Sequence, residues 1–153
     1  MKCAIGQDSH SFSKDSSKKL ILAGVHIKDY PGLEANSDGD VIYHALTNAI
    51  SGITSVNVLG RTADIMCSTG MTDSSFYVKE ALKNLEFKIE HVSFTVECIS
   101  PVLMPYIDDM KNNISSLLGI DKKSVGFTAT SGEGLSSYGK GYGIMCFCLI
   151  TVS

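Results

Sequence analysis

The sequence NSDGDVIYHALTNAI, residues 36–50, begins with small polar residues and continues with a regular apolar repeat. Small polar side chains such as Asn36, Ser37 and Asp38 cap helices, because their oxygens accept hydrogen bonds from the free N–H groups of the first turn. The apolar side chains that follow recur at helical spacing. They are Ile42, Ala45, Leu46, Ala49 and Ile50. The stretch therefore predicts a helix that begins near Ser37 and packs one face against an apolar layer.

Strand-like and helix-like patterns alternate on both sides of this helix. The N-terminal strand, within residues 1–5, is expected to form a hairpin with a second strand at residues 20–25. Residues 57–72 have no clear period and predict a long functional loop. Further helices are predicted after Asp73 and from Pro105 to Gly119, and further strands at 92–98, 125–129 and 144–152. This order predicts one α+β domain over residues 1–153, with helices on one face of a mixed β-sheet.

Composition and charge exclude several classes of protein. The chain has 153 residues, of which 44% are hydrophobic and 19% charged, as in a folded globular protein. Its net charge of -3 and the absence of a basic run longer than Lys18-Lys19 exclude a general nucleic-acid binder. The sequence shows neither a signal peptide nor a membrane span, so a cytoplasmic protein with no membrane partner is expected. Its five cysteines are predicted to be reduced.

Three side chains form a candidate metal site. Asp8 and His10 are two residues apart, so they share one side of an extended chain. His44 lies on the predicted helix with Asp40 and Asn48, away from the apolar stripe. One carboxylate and two neutral imidazoles suit zinc and leave a fourth position open for water or a substrate oxygen. The alternative interpretation is a capping Asp8 with two unrelated histidines.

A second polar cluster lies at residues 128–135, which read TATSGEGL. Hydroxyls and free backbone amides can hold phosphate oxygens, whereas Glu133 beside a phosphate needs a cation between them. Magnesium suits that position, and Lys140 could add positive charge. The alternative is an ordinary glycine-rich turn between two strands.

Taken together, these motifs resemble the 2-C-methyl-D-erythritol 2,4-cyclodiphosphate synthase family of the non-mevalonate isoprenoid pathway. The resemblance covers essentially the whole chain. It rests on Asp8-x-His10, the segment 37–46, Asp73-Ser74, the segment 101–105 and the Glu133 loop, which follow in the family's order and spacing. It implies a homotrimer with an active site at each subunit boundary. The implied reaction converts 4-diphosphocytidyl-2-C-methyl-D-erythritol 2-phosphate into the cyclic diphosphate and CMP.

The resemblance also implies roles for individual residues. Zinc would be held by Asp8, His10 and His44, and Mg²⁺ or Mn²⁺ by Glu133 with the substrate diphosphate. The catalytic positions would be Asn36, Ser131 and Glu133. Cytosine would be received by Pro101, Val102, Leu103 and Met104. The other substrate-binding positions, besides Asp8 and His10, would be Asn36, Ser37, Val58, Leu59, Gly60, Asp64, Thr130, Ser131, Gly132, Glu133, Ser137 and Lys140.

Several positions depart from the family pattern. Asn36 replaces a histidine, and a Gly-Asp-Ile-Gly motif that contacts the methylerythritol becomes Asn57-Val58-Leu59-Gly60. Val58 cannot accept a hydroxyl hydrogen bond. Other departures are Thr62-Ala63-Asp64 for Phe-Pro-Asp, Asn48 for an acidic residue, Ser137 for Phe and Lys140 for Arg. Asp64 is therefore the carboxylate expected to compensate for Val58.

Two alternatives to an active synthase follow. One is a zinc-bearing trimer that has lost the activity and serves as a binding or structural protein, as Val58 and Asn36 would suggest. The other is a metal-dependent phosphohydrolase, which explains the Asp and His residues but not the order of motifs along the whole chain.

Overall fold

The computed structural model of the protein describes residues 1–153. Six strands and four helices follow one another in the order β1 (Lys2–Ser11), β2 (Lys19–Leu22), β3 (Val25–Pro31), α1 (Val41–Thr54), α2 (Arg61–Ser68), α3 (Ser75–Leu82), β4 (Ile89–Glu97), α4 (Ile107–Leu118), β5 (Val125–Thr130) and β6 (Gly143–Val152). Single 3₁₀ turns lie at Met104–Tyr106, Lys122–Ser124 and Gly132–Gly134.

The main sheet has the strand order β1-β6-β4-β5. β4 and β5 are parallel, whereas β6 is antiparallel to both β1 and β4. The predicted α+β class with a mixed sheet is therefore confirmed. Strand β6 alternates strictly, with Ile144, Cys146, Cys148, Ile150 and Val152 buried on one face. This periodicity of two is what made the strand recognisable from sequence.

Helix α1 packs on β1 and β6 at the centre of the covered face. The close approach depends on Gly6, because a Cβ at that position would stand 2.3 Å from the backbone nitrogen of Ala49. The amide of Asn48 adds a direct link, since its Nδ2 donates to the carbonyl oxygen of Gln7 at 3.0 Å. β1 and α1 are thereby held together next to the candidate metal ligands.

The predicted N-terminal hairpin is wrong. β1 pairs along its whole length with β6, from Lys2 opposite Val152 to Ser11 opposite Gly143. β2 instead pairs with β3 in a separate two-stranded sheet. The physical reason is length, because β6 offers ten residues to the ten of β1, whereas β2 offers only four. Proximity along the chain was a poor guide to the partner.

The predicted start of α1 is also several residues early. Asp40 is the N-cap, and its Oδ1 accepts from the Tyr43 backbone nitrogen at 3.1 Å. The same carboxylate accepts from the backbone nitrogens of Ala23 at 2.9 Å and Gly24 at 2.8 Å, so it ties α1 to the turn after β2. Burial and the nearby charge of Asp38 raise the pKa of Asp40 to about 7, against the opposing effect of these hydrogen bonds. Ser37 and Asp38 are left free for other contacts.

The segment 57–72 is not a structureless loop, because it contains α2. Ala63 is the single buried residue of this helix, so the sequence contains no apolar repeat that would predict it. The predicted strand at residues 20–25 ends at Leu22, and strand β3 was not predicted. The remaining helices and strands agree with prediction more closely: α4 ends at Leu118, and Gly119 caps it in the left-handed conformation with φ of 66°.

The face of the main sheet opposite α1 carries apolar side chains that remain exposed. Ile5 is 65% exposed, Leu149 46% and Phe147 38%. No helix has the length and apolar character needed to cross a membrane.

Candidate active site

β1 and α1 bring Asp8, His10 and His44 together. Asp8 and His10 point from alternate positions of β1 towards α1, and His44 points back from the first turns of that helix. The Oδ2 atom of Asp8 lies 2.8 Å from Nε2 of His10 and 2.9 Å from Nδ1 of His44. The two nitrogens lie 3.2 Å apart. One donor atom from each residue therefore converges on a single point, as the sequence predicted.

The electrostatics of this cluster fit a bound cation. Burial would raise the pKa of Asp8, but the hydrogen bonds and charges of His10 and His44 outweigh it and lower that pKa to about 2. Burial would lower the pKa of His10, but Asp8 outweighs it and raises that pKa above its ordinary value. The backbone of Glu34 also hydrogen-bonds the His10 ring, as expected of a ligand histidine whose other nitrogen needs a fixed partner. An ionised carboxylate and two imidazoles form a donor set suited to zinc.

The cluster forms part of the wall of a cavity of about 440 Å³. The predicted site residues that line it are Asp8, His10, Asn36, Ser37, His44, Leu59, Gly60 and Asp64. Asp64 enters from α2, a helix that the sequence did not predict. Val58 lies elsewhere: it is 2% exposed within the hydrophobic core and does not line this cavity.

Sequence reasoning missed five further residues in the wall, which are Glu34, Ala35, Ala63, Cys67 and Tyr77. Cys67 of α2 lines the cavity, and its Sγ donates to the carbonyl oxygen of Asn36 at 3.1 Å. Tyr77 of α3 also lines it, and its hydroxyl donates to the carbonyl oxygen of Met71 at 2.7 Å. Cys67 would have required recognising α2, and Tyr77 lies on α3, where the sequence predicted a helix but no site residue.

A second cavity, of about 450 Å³, lies at the other edge of the sheet. The predicted residues that it brings together are Pro101, Val102, Leu103, Met104, Thr130 and Ser131. Its remaining walls are mostly apolar and include Phe127 and Ile107. The predicted cytosine segment and two predicted phosphate-binding positions therefore share one cavity.

The Glu133 turn lies beyond this second cavity. Glu133 is exposed, with φ of 50° in the left-handed region, and the Ser131 hydroxyl accepts from its backbone nitrogen at 3.3 Å. Neither cavity is lined by Gly132, Glu133, Ser137 or Lys140.

One row of paired residues across the main sheet gives the distance between the Asp8 cluster and the strand that leads to the Glu133 turn. Asp8 is opposite Cys146, Cys146 is opposite Val96, and Val96 is opposite Ala129. Asp8 and Ala129 are thus three strand spacings apart, or about 14 Å. Within one chain, the cluster of Asp8, His10 and His44 is therefore well separated from the Glu133 turn.

Comparison with known proteins places this geometry in a family. Residues 1–153 match the YgbB family. The chain belongs to the YgbB family. A Chlamydia caviae protein named 2-C-methyl-D-erythritol 2,4-cyclodiphosphate synthase is 49% identical, over 99% of this chain and 89% of its own length. The family resemblance drawn from Asp8-x-His10 and the motifs that follow it is therefore confirmed.

Two solved YgbB-like structures share the fold. The bifunctional IspDF of Campylobacter jejuni is 31% identical with a TM-score of 0.82, and the match covers 97% of this chain but 41% of that longer protein. The Plasmodium falciparum IspF in complex with CDP is 25% identical with a TM-score of 0.81, and the match covers 99% of this chain and 94% of that one. Residues 57–64, where the sequence departs from the family pattern, lie within the range that matches the YgbB family.

Proposed function

We propose that this chain cyclises 4-diphosphocytidyl-2-C-methyl-D-erythritol 2-phosphate to 2-C-methyl-D-erythritol 2,4-cyclodiphosphate and releases CMP. The observation that carries the proposal is the convergence of Asp8, His10 and His44 in the wall of the first cavity. The 49% identity to a synthase over almost the whole chain supports it. It also favours an active enzyme over a zinc-bearing protein that has lost its activity.

The reaction needs no protein nucleophile. An oxygen of the substrate's 2-phosphate forms a bond to the β-phosphorus, and the bond from that phosphorus to the bridging oxygen of CMP breaks. CMP leaves with the bonding electron pair, so no water is consumed. The chain's task is to fold the substrate so that the two phosphates meet, which is catalysis by proximity and charge stabilisation. The enzyme is then a phosphorus–oxygen lyase.

The first cavity would hold the attacking phosphate and the methylerythritol. Asp8, His10 and His44 would hold zinc, which when bound supplies positive charge for phosphate oxygens. Ser37 and Asn36 line the same cavity, so they offer neutral hydrogen bonds to the phosphate. Asp64 lines it too, whereas Val58 does not, which supports Asp64 as the group that binds the sugar hydroxyls.

The second cavity would hold the cytidine. Pro101, Val102, Leu103 and Met104 would receive the base chiefly through backbone groups, and Thr130 and Ser131 would contact phosphate. Glu133 would hold Mg²⁺ or Mn²⁺ against the diphosphate. A relative solved with CDP supports a ligand of this class.

We infer that the complete site forms between two subunits of a homotrimer. The two half-sites lie about 14 Å apart across the sheet of one chain, so a neighbouring chain would have to bring them together. The exposed apolar side chains of Ile5, Phe147 and Leu149 support such an assembly, because a lone soluble chain rarely leaves a sheet face of this kind open.

Turnover of authentic substrate tests the proposal. Zinc-loaded protein with Mg²⁺ should release CMP and the cyclic diphosphate in equal amounts, which nucleotide chromatography and ³¹P NMR would measure. Release of inorganic phosphate instead would indicate a phosphohydrolase. Tight binding of zinc and substrate without CMP would indicate a binding protein that has lost the activity.

A further inference from the structure

His44 is hydrogen-bonded on both sides of its ring. Its Nδ1 faces the metal cluster, 2.9 Å from Oδ2 of Asp8. Its Nε2 faces away, 2.9 Å from the hydroxyl oxygen of Ser74 at the start of α3. A neutral imidazole carries one proton, and only the nitrogen without it can bind a metal. If Nδ1 is the ligand atom, the proton must lie on Nε2 and needs an acceptor.

Ser74 is placed to be that acceptor. Its side chain is fully buried, and its hydroxyl also contacts Oδ1 of Asp38. A hydroxyl has one proton to donate, and an ionised carboxylate only accepts. The Ser74 proton therefore points to Asp38, and a lone pair of the Ser74 oxygen remains for the Nε2 proton of His44.

Asp38 is itself fixed by backbone groups. Its Oδ1 accepts from the backbone nitrogen of Asp40 at 3.0 Å, and its Oδ2 accepts from the backbone nitrogen of Ser74 at 3.0 Å. The backbone nitrogen of Asp38 donates to the carbonyl oxygen of Thr72 at 2.9 Å. The carboxylate cannot rotate away from Ser74 without losing these bonds.

We propose that Asp38 and Ser74 are positioning residues that fix the tautomer and the ring orientation of His44 as a metal ligand. The chain of hydrogen bonds runs from His44 to Ser74 to Asp38, and its effect is a higher affinity for zinc. This proposal deepens the metal site of the proposed function and rests on it. Ser37 makes a weaker version of the same contact, because its hydroxyl lies 3.3 Å from Nε2 of His44 and already accepts from the Gly39 nitrogen.

Zinc affinity measured by chelator competition tests the proposal. Ser74→Ala should bind zinc about ten- to hundredfold more weakly, the range seen when the outer partner of a ligand histidine is removed. Ser74→Thr keeps the hydroxyl and should restore most of the affinity. Ser37→Ala is the matched control and should change the affinity by no more than about threefold, because Ser74 remains.

The thermal stability of the metal-free protein separates positioning from a structural role. If Ser74 serves only to anchor α3, Ser74→Ala should lower the metal-free Tm and leave zinc affinity unchanged, and that result would overturn the proposal. Equal losses of affinity in Ser74→Ala and Ser37→Ala would do so as well.

A measurement on the unaltered protein covers the case in which a variant does not fold. Long-range ¹H–¹⁵N spectra of the zinc-loaded protein should show His44 protonated at Nε2, and protonation at Nδ1 would overturn the proposal. Failure of the unaltered protein to bind zinc at all would instead remove the metal site of the proposed function, and the positioning role with it.

Discussion

Gly6 of β1 lies directly against Ala45 of α1, so that a Cβ on residue 6 would stand 2.1 Å from the carbonyl oxygen of Ala45. The neighbouring residue on the helix is His44, and Asp8 is two positions along the strand. The distance between strand and helix therefore decides whether the three donor atoms meet.

Gly6→Ala should force α1 away from β1. We expect a loss of roughly 1 to 3 kcal/mol or more in the free energy of unfolding, because a side chain is added to a contact with no space. Zinc affinity should fall with it. Denaturant unfolding and zinc titration would measure both. Gly126→Ala is the control, since the nearest atom to its added Cβ is the Ser93 hydroxyl oxygen at 3.2 Å. Equal stability of the two variants would contradict the role of Gly6.

Zinc binding should weaken as the pH falls. In the metal-free protein Asp8 raises the pKa of His10 above its ordinary value of 6.5, so protons compete with zinc from near-neutral pH downwards. Asp8, with a pKa of about 2, adds no competition until the solution is strongly acidic. Well below the pKa of His10, zinc affinity should drop by at least about tenfold per pH unit, because the His10 imidazole must lose its proton before it can bind zinc. Titrations between pH 5 and 8 that give a constant affinity would argue against histidine ligation.

Asp64→Ala should impair substrate binding while leaving the metal in place. Loss of one or two substrate hydrogen bonds, at about 1 to 3 kcal/mol, corresponds to a decrease in kcat/KM of roughly tenfold to a hundredfold. Asp64→Asn keeps one acceptor oxygen and should lose less. Steady-state kinetics and metal analysis would check both variants. If Asp64→Ala is indistinguishable from the unaltered enzyme, backbone groups must bind the methylerythritol.

Phe147→Glu should disrupt the proposed homotrimer. The residue lies on the open sheet face beside Leu149, and a carboxylate buried there without a partner would cost about 3 kcal/mol or more per interface. Light scattering should report monomers, and CMP release should be lost while zinc stays bound to Asp8, His10 and His44. Phe76→Glu, at a 40% exposed position on α3, is the control and should remain trimeric. An active monomer would refute a site shared between subunits.

The sequence predicted those parts of the molecule whose side chains have a strong period or a distinctive chemistry. α1 and β6 are examples, and so is the cluster of Asp8, His10 and His44. It could not identify the cap of α1, because Ser37, Asp38 and Asp40 have equal capping chemistry. The choice depends on the free N–H groups of Ala23 and Gly24, which reach Asp40 only in the folded chain.

The remaining differences have similar causes. Helix α2 buries only Ala63, so no apolar face marks it. Asp64 was therefore expected on a loop, and Cys67 was not predicted as part of the site. The pairing of β1 with β6 depends on matching lengths and faces between segments far apart in sequence. Local patterns give no information about such partners.

The pairing of β1 with β6 also has a consequence for how the site is made. His10 is opposite Ile144, so the strand that carries two of the three candidate metal ligands gains its neighbour only after residues 143–152 have been synthesised. Contacts of such long range form slowly, since much chain entropy is lost before they form. We expect pulsed hydrogen exchange during refolding to protect the amides of β1 together with those of β6, and protection of β1 ahead of β6 would contradict this. Before β1 pairs with β6, Asp8 and His10 of a nascent chain would lie on an unpaired strand, where their affinity for a metal ion would be low.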